Sequence, residues 1–327
     1  MISADDARWL DAAARLAARG SPEARPNPAV GAIIVQQGRL IGRGWTRAGG
    51  RPHAEAEALA AAGSDAKGAM LYVSLEPCAH RSARGPACAD LVAASGVARV
   101  VIGCADPDPR TAGQGMARLR AAGISVDLID NPACAASLAG YLSRTRLGRP
   151  EITLKLALSL DGCIALPDGE SQWITGEAAR AHVHAQRARM DAILVGGGTL
   201  RADQPRLDVR LPGLESRSPQ RWVLTSGAVP AGWHALRRLD DITTLAPAQT
   251  LMVEGGAQTA SAFLAADLVD RLMIYRAPIV IGNGLRALDD IGLPRLADAH
   301  DRWRLADQRL LGNDTFEVYE KNPCSLA

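Results

Sequence analysis

The stretch from His53 to Cys88 limits what this chain can fold into more than any other part of it. His53, Cys78 and Cys88 are three soft or borderline ligands of the kind that hold Zn²⁺ tetrahedrally. They leave the fourth position to water, which is the count of a catalytic centre; a structural site would close with a fourth side chain. The fold must therefore bring three separate segments to one point. Glu55 follows His53 closely enough to share the pocket and is too hard a ligand to displace a thiolate, so it reads as a proton shuttle.

At 327 residues the chain is long for one core and comfortable for two. Lys and Arg number 37 against 35 Asp and Glu, a net charge of +2, so no basic excess argues for a nucleic-acid partner. The six cysteines (Cys78, Cys88, Cys104, Cys134, Cys163 and Cys324) are too sparse for a secreted disulfide framework and suit a reducing cytosol. Asp5 and Asp6 precede any apolar run, the wrong order for a signal peptide, and no stretch approaches a membrane-spanning length. The expectation is a soluble, cytoplasmic protein without membrane or nucleic-acid partners.

Along the first half, Ser3 can cap a helix with Trp9, Leu10, Ala13, Leu16 and Ala17 on its apolar face and Gly20 at its end. Arg25-Pro26-Asn27-Pro28 cannot be helical and forms a fixed loop entering a strand. Residues 29–35 and 40–45 read as a hairpin turning at Gln37-Gly38. A helix over 53–62, a strand over 70–75, a helix over 87–94 and a strand over 99–103 follow, then a helix over 116–121 and a strand over 125–129. That alternation implies βαβ crossovers and a mixed sheet. Two helix starts, at His53 and near Cys88, would face each other across the metal, their partial positive charge favouring thiolate and hydroxide. His80 is the one other histidine near the cysteines, and a His in a polar loop is more often solvated than a ligand. The basic stretch from Arg144 to Arg149 marks a domain junction, giving domains 1–148 and 149–327.

The second half restarts with a β pattern over 152–157, then Ser159-Leu160-Asp161-Gly162, a loop over 169–175 and a helix over 177–189. A strand over 192–195 runs into Gly196-Gly197-Gly198-Thr199, and another over 251–253 into Glu254-Gly255-Gly256 before a helix over 259–266. Strand, glycines and helix start thus recur, an arrangement that lets a backbone approach a phosphate. Each glycine pair alone can equally serve a tight turn. No Gly-x-Gly-x-x-Gly fingerprint is present, which argues against the usual dinucleotide-binding unit.

His53-Ala54-Glu55 with Glu76-Pro77-Cys78 and Gly85-Pro86-Ala87-Cys88 resembles the zinc nucleobase deaminases, in which the metal activates water and the Glu moves protons to departing ammonia. Taken with Pro26-Asn27-Pro28-Ala29-Val30-Gly31, Leu154-Lys155-Leu156, Ser159-Leu160-Asp161-Gly162, Gly169 to Thr175 and Val253-Glu254-Gly255-Gly256, the chain resembles the bifunctional riboflavin-biosynthesis deaminase/reductases nearly throughout. The loop between Cys78 and Cys88 holds nine residues, one more than is usual in that branch, and the segment between Arg210 and Leu251 is shorter than usual.

The resemblance implies an α/β protein, with a cytidine-deaminase-like three-layer domain followed by a dihydrofolate-reductase-like domain. It implies one Zn²⁺ on His53, Cys78 and Cys88, with Glu55 catalytic and Asn27 on the substrate. It places Ala157, Trp173, Thr199, Asp203 and Gly256 along NADPH, and Ser171, Arg187, Leu207, Arg210 and Glu254 on the substrate; it names no general acid for the reduction, for which Asp203 is a candidate by its proximity to Thr199. The implied substrate is a small phosphorylated pyrimidine, 2,5-diamino-6-ribosylamino-4(3H)-pyrimidinone 5′-phosphate, deaminated and then reduced in its ribosyl group. A zinc deaminase whose second half only binds is the competing reading, and self-association stays open.

Overall fold

Ser3 opens the first helix as its N-cap: its hydroxyl accepts from Asp6 N–H while the Asp6 carboxylate accepts from Ser3 N–H, a reciprocal capping box. The computed structural model describes residues 3–322, so Cys324 lies outside the described residues. The chain divides into two compact units, Met1–Gly148 and Arg149–Ala327.

In the first unit, α1 (Ala4–Ala17) is followed by the hairpin of β1 (Gly31–Gln36) and β2 (Arg39–Trp45). Its turn takes positive φ at Gln37 and Gly38, matching the twist of the flanking strands. Next come α2 (Ala54–Ala62), β3 (Met70–Val73), α3 (Cys88–Ala94), β4 (Arg99–Ile102), α4 (Gln114–Ala121), β5 (Ser125–Leu128), α5 (Pro132–Ser137) and α6 (Ala139–Leu147). The sheet order is β2-β1-β3-β4-β5. β1 runs antiparallel to both neighbours, and β3, β4 and β5 are parallel, as the βαβ reading requires.

β1 is buried on both faces. Ala32 and Ile34 join the core under α2 (Ala54, Ala58), α3 (Val92) and α4 (Leu119), while Ile33 and Val35 pack with Leu10 and Ala13 of α1. This is the three-layer arrangement expected from the sequence. The α2 layer sits unusually close to β2. A Cβ on Gly42 would lie 2.3 Å from Ala58 O, and one on Gly44 would lie 2.4 Å from Ala54 O. Only hydrogen fits at those positions, so the strand fixes where α2 begins.

The second unit contains β6 (Glu151–Leu158), β7 (Cys163–Ala165), α7 (Glu177–Arg187), β8 (Ala192–Gly196), α8 (Gly197–Asp203), β9 (Gln220–Leu224), β10 (His234–Leu236), β11 (Thr250–Val253), α9 (Ala257–Ala265), β12 (Arg271–Arg276), β13 (Leu285–Arg286), β14 (Trp303–Leu311) and β15 (Asp314–Lys321). Its eight-stranded sheet has the order β10-β9-β8-β11-β6-β12-β15-β14, and β13 pairs with β7 apart from it. The pairs from β10 to β12 are parallel, and β15 then adds antiparallel to β12 and β14 to β15.

Alternation divides each central strand between two cores. Ala192, Leu194, Leu251 and Val253 pack with Ile152, Leu154 and Phe263 of α9, while Ile193, Val195, Met252 and Met273 pack with Ala179 and Val183 of α7. Lys155 occupies the face of β6 opposite Leu154 and Leu156, a charged residue in the middle of the strand. No helix among the described residues is long and apolar enough to cross a membrane.

Candidate active sites

His53 is the N-cap residue of α2, with no side-chain capping bond, which leaves its ring available to the pocket. Cys78 lies in the loop after β3, and Cys88 is the first residue of α3. Their ligand atoms and that of His53 all fall within 4.8 Å of one another. His53 Nδ1 lies 3.2 Å from Cys88 Sγ and 3.6 Å from Cys78 Sγ. A tetrahedral zinc with ordinary Zn–S and Zn–N bonds needs N···S edges of about 3.5 Å. The residues therefore fit the metal, and the nine-residue loop does not prevent Cys88 from reaching it.

The backbone N–H of Cys88 donates to Cys78 Sγ at 3.3 Å. Hydrogen bonding from the Cys88 side chain, then from His53, holds the Cys78 thiol well below its ordinary value in spite of burial. That is the ionisation state a metal ligand requires. His80 lines the same pocket but stands outside the ligand triad, with Nδ1 3.5 Å from Thr111 Oγ1.

Glu55 sits in the first turn of α2 at 3% exposure. Burial pushes its carboxyl up to about 7, against the pull of His53. Asn27 holds the far side of the histidine ring: its amide nitrogen lies 3.2 Å from His53 Nε2 and donates to Gly50 O at 3.0 Å. Expected on the substrate, Asn27 is thus placed both along the pocket wall and against the metal ligand's second nitrogen, where it orients the ring.

The pocket encloses about 590 Å³, its open mouth included. Besides the metal residues and Glu55 it is lined by Asp106, Asp108, Arg110 and Tyr141. Glu76 secures that wall, its carboxylate accepting from the backbone N–H groups of Met116 (3.1 Å), Gly113 (3.1 Å) and Asp106 (3.4 Å). In the sequence Glu76 stands out only as part of a motif; a carboxylate directly before Pro-Cys is the signal for this further role.

In the second unit the expected residues fall into distinct settings. Glu254 follows β11, and its side chain is 10% exposed. Its Oε1 accepts from Arg187 Nε at 2.7 Å and its Oε2 from Arg187 Nη2 at 2.9 Å, with Lys155 Nζ 3.6 Å away. Burial would raise its carboxyl, but Lys155 and Arg187 hold it down to about 2. Arg187 and Glu254, expected as separate substrate contacts, are therefore bound to each other, because a carboxylate this deep needs a bidentate guanidinium. Lys155 has no role assignable from the sequence beyond its motif, and its one signal there is a cation amid Ile152, Leu154 and Leu156.

Thr199 and Gly256 are brought together, Gly256 N–H donating to Thr199 Oγ1 at 3.3 Å. They lie at the carboxyl ends of the adjacent parallel strands β8 and β11, the edge where α/β sheets take ligands. A Cβ on Gly198 would meet nothing within 4 Å, so the strand edge is open at that residue. Ala157 is half-buried on β6, and Asp203 is exposed at the end of α8. Trp173 is 63% exposed, with Arg180 lying 4.9 Å from its ring centroid. Ser171 is half-buried in the loop before α7. The Leu207 side chain is 4% exposed and belongs to the α7-side core, which leaves its backbone for any ligand. Arg210 is exposed, its N–H 3.3 Å from His184 Nδ1 and its Nε 3.5 Å from Asp208.

Comparison with known proteins places both halves. The cytidine and deoxycytidylate deaminase zinc-binding region matches residues 3–104, and the RibD C-terminal domain matches residues 150–246 and 233–316. The riboflavin biosynthesis protein RibD of Escherichia coli is 37% identical, over 94% of this chain and 97% of its own length.

The chain belongs to the RibD family.

The Mycobacterium tuberculosis RibD is likewise 37% identical over 96% of this chain and 98% of that one. Among solved structures, Acinetobacter baumannii RibD superposes with a TM-score of 0.87 at 35% identity, covering 97% of this chain and 99% of that one. A Thermotoga maritima structure described as a diaminohydroxyphosphoribosylaminopyrimidine deaminase/5-amino-6-(5-phosphoribosylamino)uracil reductase gives 0.84 at 29% identity, covering 97% of this chain. The RibD pairing of a zinc-binding deaminase domain with a reductase domain is present in full, and the chain is a bifunctional enzyme of riboflavin biosynthesis.

Proposed function

We propose that the first unit deaminates 2,5-diamino-6-ribosylamino-4(3H)-pyrimidinone 5′-phosphate and that the second reduces the ribosyl group of the resulting uracil to ribityl. The Thermotoga maritima relative is described by the corresponding pair of activities, a deaminase and a reductase in one chain. The observation that carries the reading here is Glu55, buried beside His53, Cys78 and Cys88. A structural zinc site has no use for a sequestered carboxylate that ligates nothing.

Zn²⁺ on these three residues would supply a water acidic enough to act at neutral pH. Glu55 accepts the proton released at the nucleophile and returns it to the amino nitrogen, so that nitrogen leaves as ammonia. Asn27 keeps the His53 ring oriented and lines the pocket, where it would meet the pyrimidine edge as well.

In the second unit NADPH would supply the hydride. Thr199 and Gly256 would hold it at the strand ends, and Ala157, Trp173 and Asp203 would lie along it. Ser171, Leu207 through its backbone, Arg210 and the Arg187–Glu254 pair hold the substrate. Because Glu254 is already neutralised, it fixes sugar hydroxyls as a pre-oriented acceptor and does not act as an acid.

The deciding experiment measures zinc content, ammonia release and NADPH oxidation on the parent and on Glu55→Gln. Glu55→Gln should keep its zinc and its NADPH oxidation on the deaminated substrate, while ammonia release falls by roughly 10² to 10⁴, the usual worth of general acid–base catalysis. Full ammonia release from that variant would remove the role given to Glu55.

A further inference from the structure

The pocket that holds the zinc ligands is lined by four carboxylates, Glu55, Glu76, Asp106 and Asp108, and Arg110 is the one arginine or lysine among its described lining residues. A phosphate monoester, close to a dianion at neutral pH, would be repelled by such a wall unless a cation met it. Three other arginines surround the cysteine loop, and none of them is among the residues that line the pocket. Arg51 Nη1 donates to Pro86 O at 3.3 Å and Arg84 Nη1 to Gly49 O at 2.8 Å, tying loops together, while Arg81 pairs with Asp90 at 3.4 Å.

Arg110 is held in a different way. Its Nε lies 3.0 and 3.1 Å from the two Asp108 oxygens, and its Nη2 lies 2.5 Å from Oδ2. Nη1 takes no part in those bonds. The loop beneath is pinned as well: Asp106 Oδ1 accepts from Asp108 N–H at 3.0 Å, Asp108 O accepts from Thr111 and Ala112 N–H at 2.8 Å each, and Glu76 accepts from Gly113 N–H at 3.1 Å. An exposed arginine normally loses much side-chain freedom on gripping a ligand. Here Asp108 and the anchored loop have already removed much of it.

We propose that Arg110, steadied by Asp108, binds the phosphate of the deaminase substrate and makes this half of the enzyme select phosphorylated over unphosphorylated ribosylaminopyrimidines. The inference rests on the deaminase reading given above. The pyrimidine lies on Glu55 and the metal residues, and the ribosyl arm runs toward the mouth along Asp106, Asp108 and Tyr141, whose hydroxyl donates to Asp106 at 2.7 Å. Asp108 is a positioning residue, since it acts through Arg110.

The test is ammonia release by the zinc-loaded full chain from the diaminopyrimidine ribosylamine with and without its 5′-phosphate. Arg110→Gln should lower the ratio of kcat/KM for the two substrates by roughly ten- to hundredfold, the worth of one charged hydrogen-bonding contact, and chiefly through KM for the phosphorylated one. Arg110→Lys should restore part of that ratio, and Asp108→Asn should raise KM for the phosphorylated substrate with little change in kcat. NADPH oxidation and the melting temperature of each variant report that the chain is folded. An unchanged ratio in Arg110→Gln, or equal losses on both substrates, overturns the proposal while leaving the deaminase reading intact. Absence of ammonia release from either substrate by the zinc-loaded parent overturns that reading and the proposal together.

Discussion

Glu254 shows what one buried charge demands of its neighbours. Its carboxylate is shared between Arg187 and Lys155, and all three side chains are at most 16% exposed. Glu254→Ala therefore strands two cations in a nearly dry site, and breaking a buried pair in this way costs about 3–5 kcal/mol. Followed by tryptophan fluorescence, the second unit of Glu254→Ala should unfold at markedly lower urea than that of the parent, while ammonia release survives. Adding Arg187→Met to that variant should recover part of the loss, a non-additivity expected only of residues in contact. If the second unit unfolds at the same urea concentration in Glu254→Ala and the parent, the cluster does not hold it together. Charge pairing of this kind is poorly legible in a sequence. Arg187, Glu254 and Lys155 can each be singled out, but nothing in their spacing says that they neutralise one another. His53, Cys78 and Cys88 are legible because a metal imposes a known donor set and count.

Among the elements, the first unit is readable where local chemistry settles the matter: Ser3 with Asp6 starts α1, Gln37-Gly38 turns the hairpin, and His53 opens α2. β14 is not readable, because it is an edge strand exposed for most of its length and carries Arg304, Asp307, Gln308 and Arg309, so its pattern resembles a loop. β12 and β15 do alternate, with Met273 and Tyr275 facing Phe316 and Val318; the period is present, yet the sequence reading assigns no strand to either.

Asp6 ties α1 to the sheet. Its carboxylate accepts from Tyr72 on β3 at 3.0 Å and from Arg99 on β4 at 2.9 and 3.1 Å. Burial opposes ionisation, but these donors hold the group at about 2. A depressed carboxyl contributes stability that is complete above its unfolded value, near pH 4, and is lost as pH falls through about 2. The stability gap between the parent and Asp6→Asn, on the order of 2 kcal/mol at pH 6, should accordingly shrink in unfolding measured at pH 3; a gap that stays constant with pH would show that Asp6 is not ionised by this network.

A second prediction at this scale concerns Gly44. A methyl group there would lie 2.4 Å from Ala54 O and 2.5 Å from Glu57 Cβ, forcing the start of α2 away from β2. Gly44→Ala should cost roughly 1–3 kcal/mol as overpacking and weaken zinc retention in a chelator titration, with NADPH oxidation unaffected. Zinc held as tightly as in the parent would mean that α2 can shift without moving His53.

For the whole molecule, the two units differ in how their sheets are threaded. In the first, β1 finds β2 directly and β3 soon after, and the order β2-β1-β3-β4-β5 follows the chain closely. In the second, β6 comes first yet lies between β11, which begins at Thr250, and β12, which begins at Arg271. Both partners of its central strand are therefore missing until most of the unit has been made. At synthesis rates of roughly 5–20 residues per second, β6 spends on the order of ten seconds outside the ribosome as an apolar segment with two open edges. The first unit can close during that interval. After dilution from denaturant into zinc-containing buffer, ammonia release should accordingly return before NADPH oxidation, since long-range parallel pairing is slow. Simultaneous recovery would show that closing the eight-stranded sheet does not limit the rate. During synthesis the vulnerable moment belongs to the reductase half, and a chaperone that shields a nascent strand would raise the yield of NADPH oxidation more than that of ammonia release.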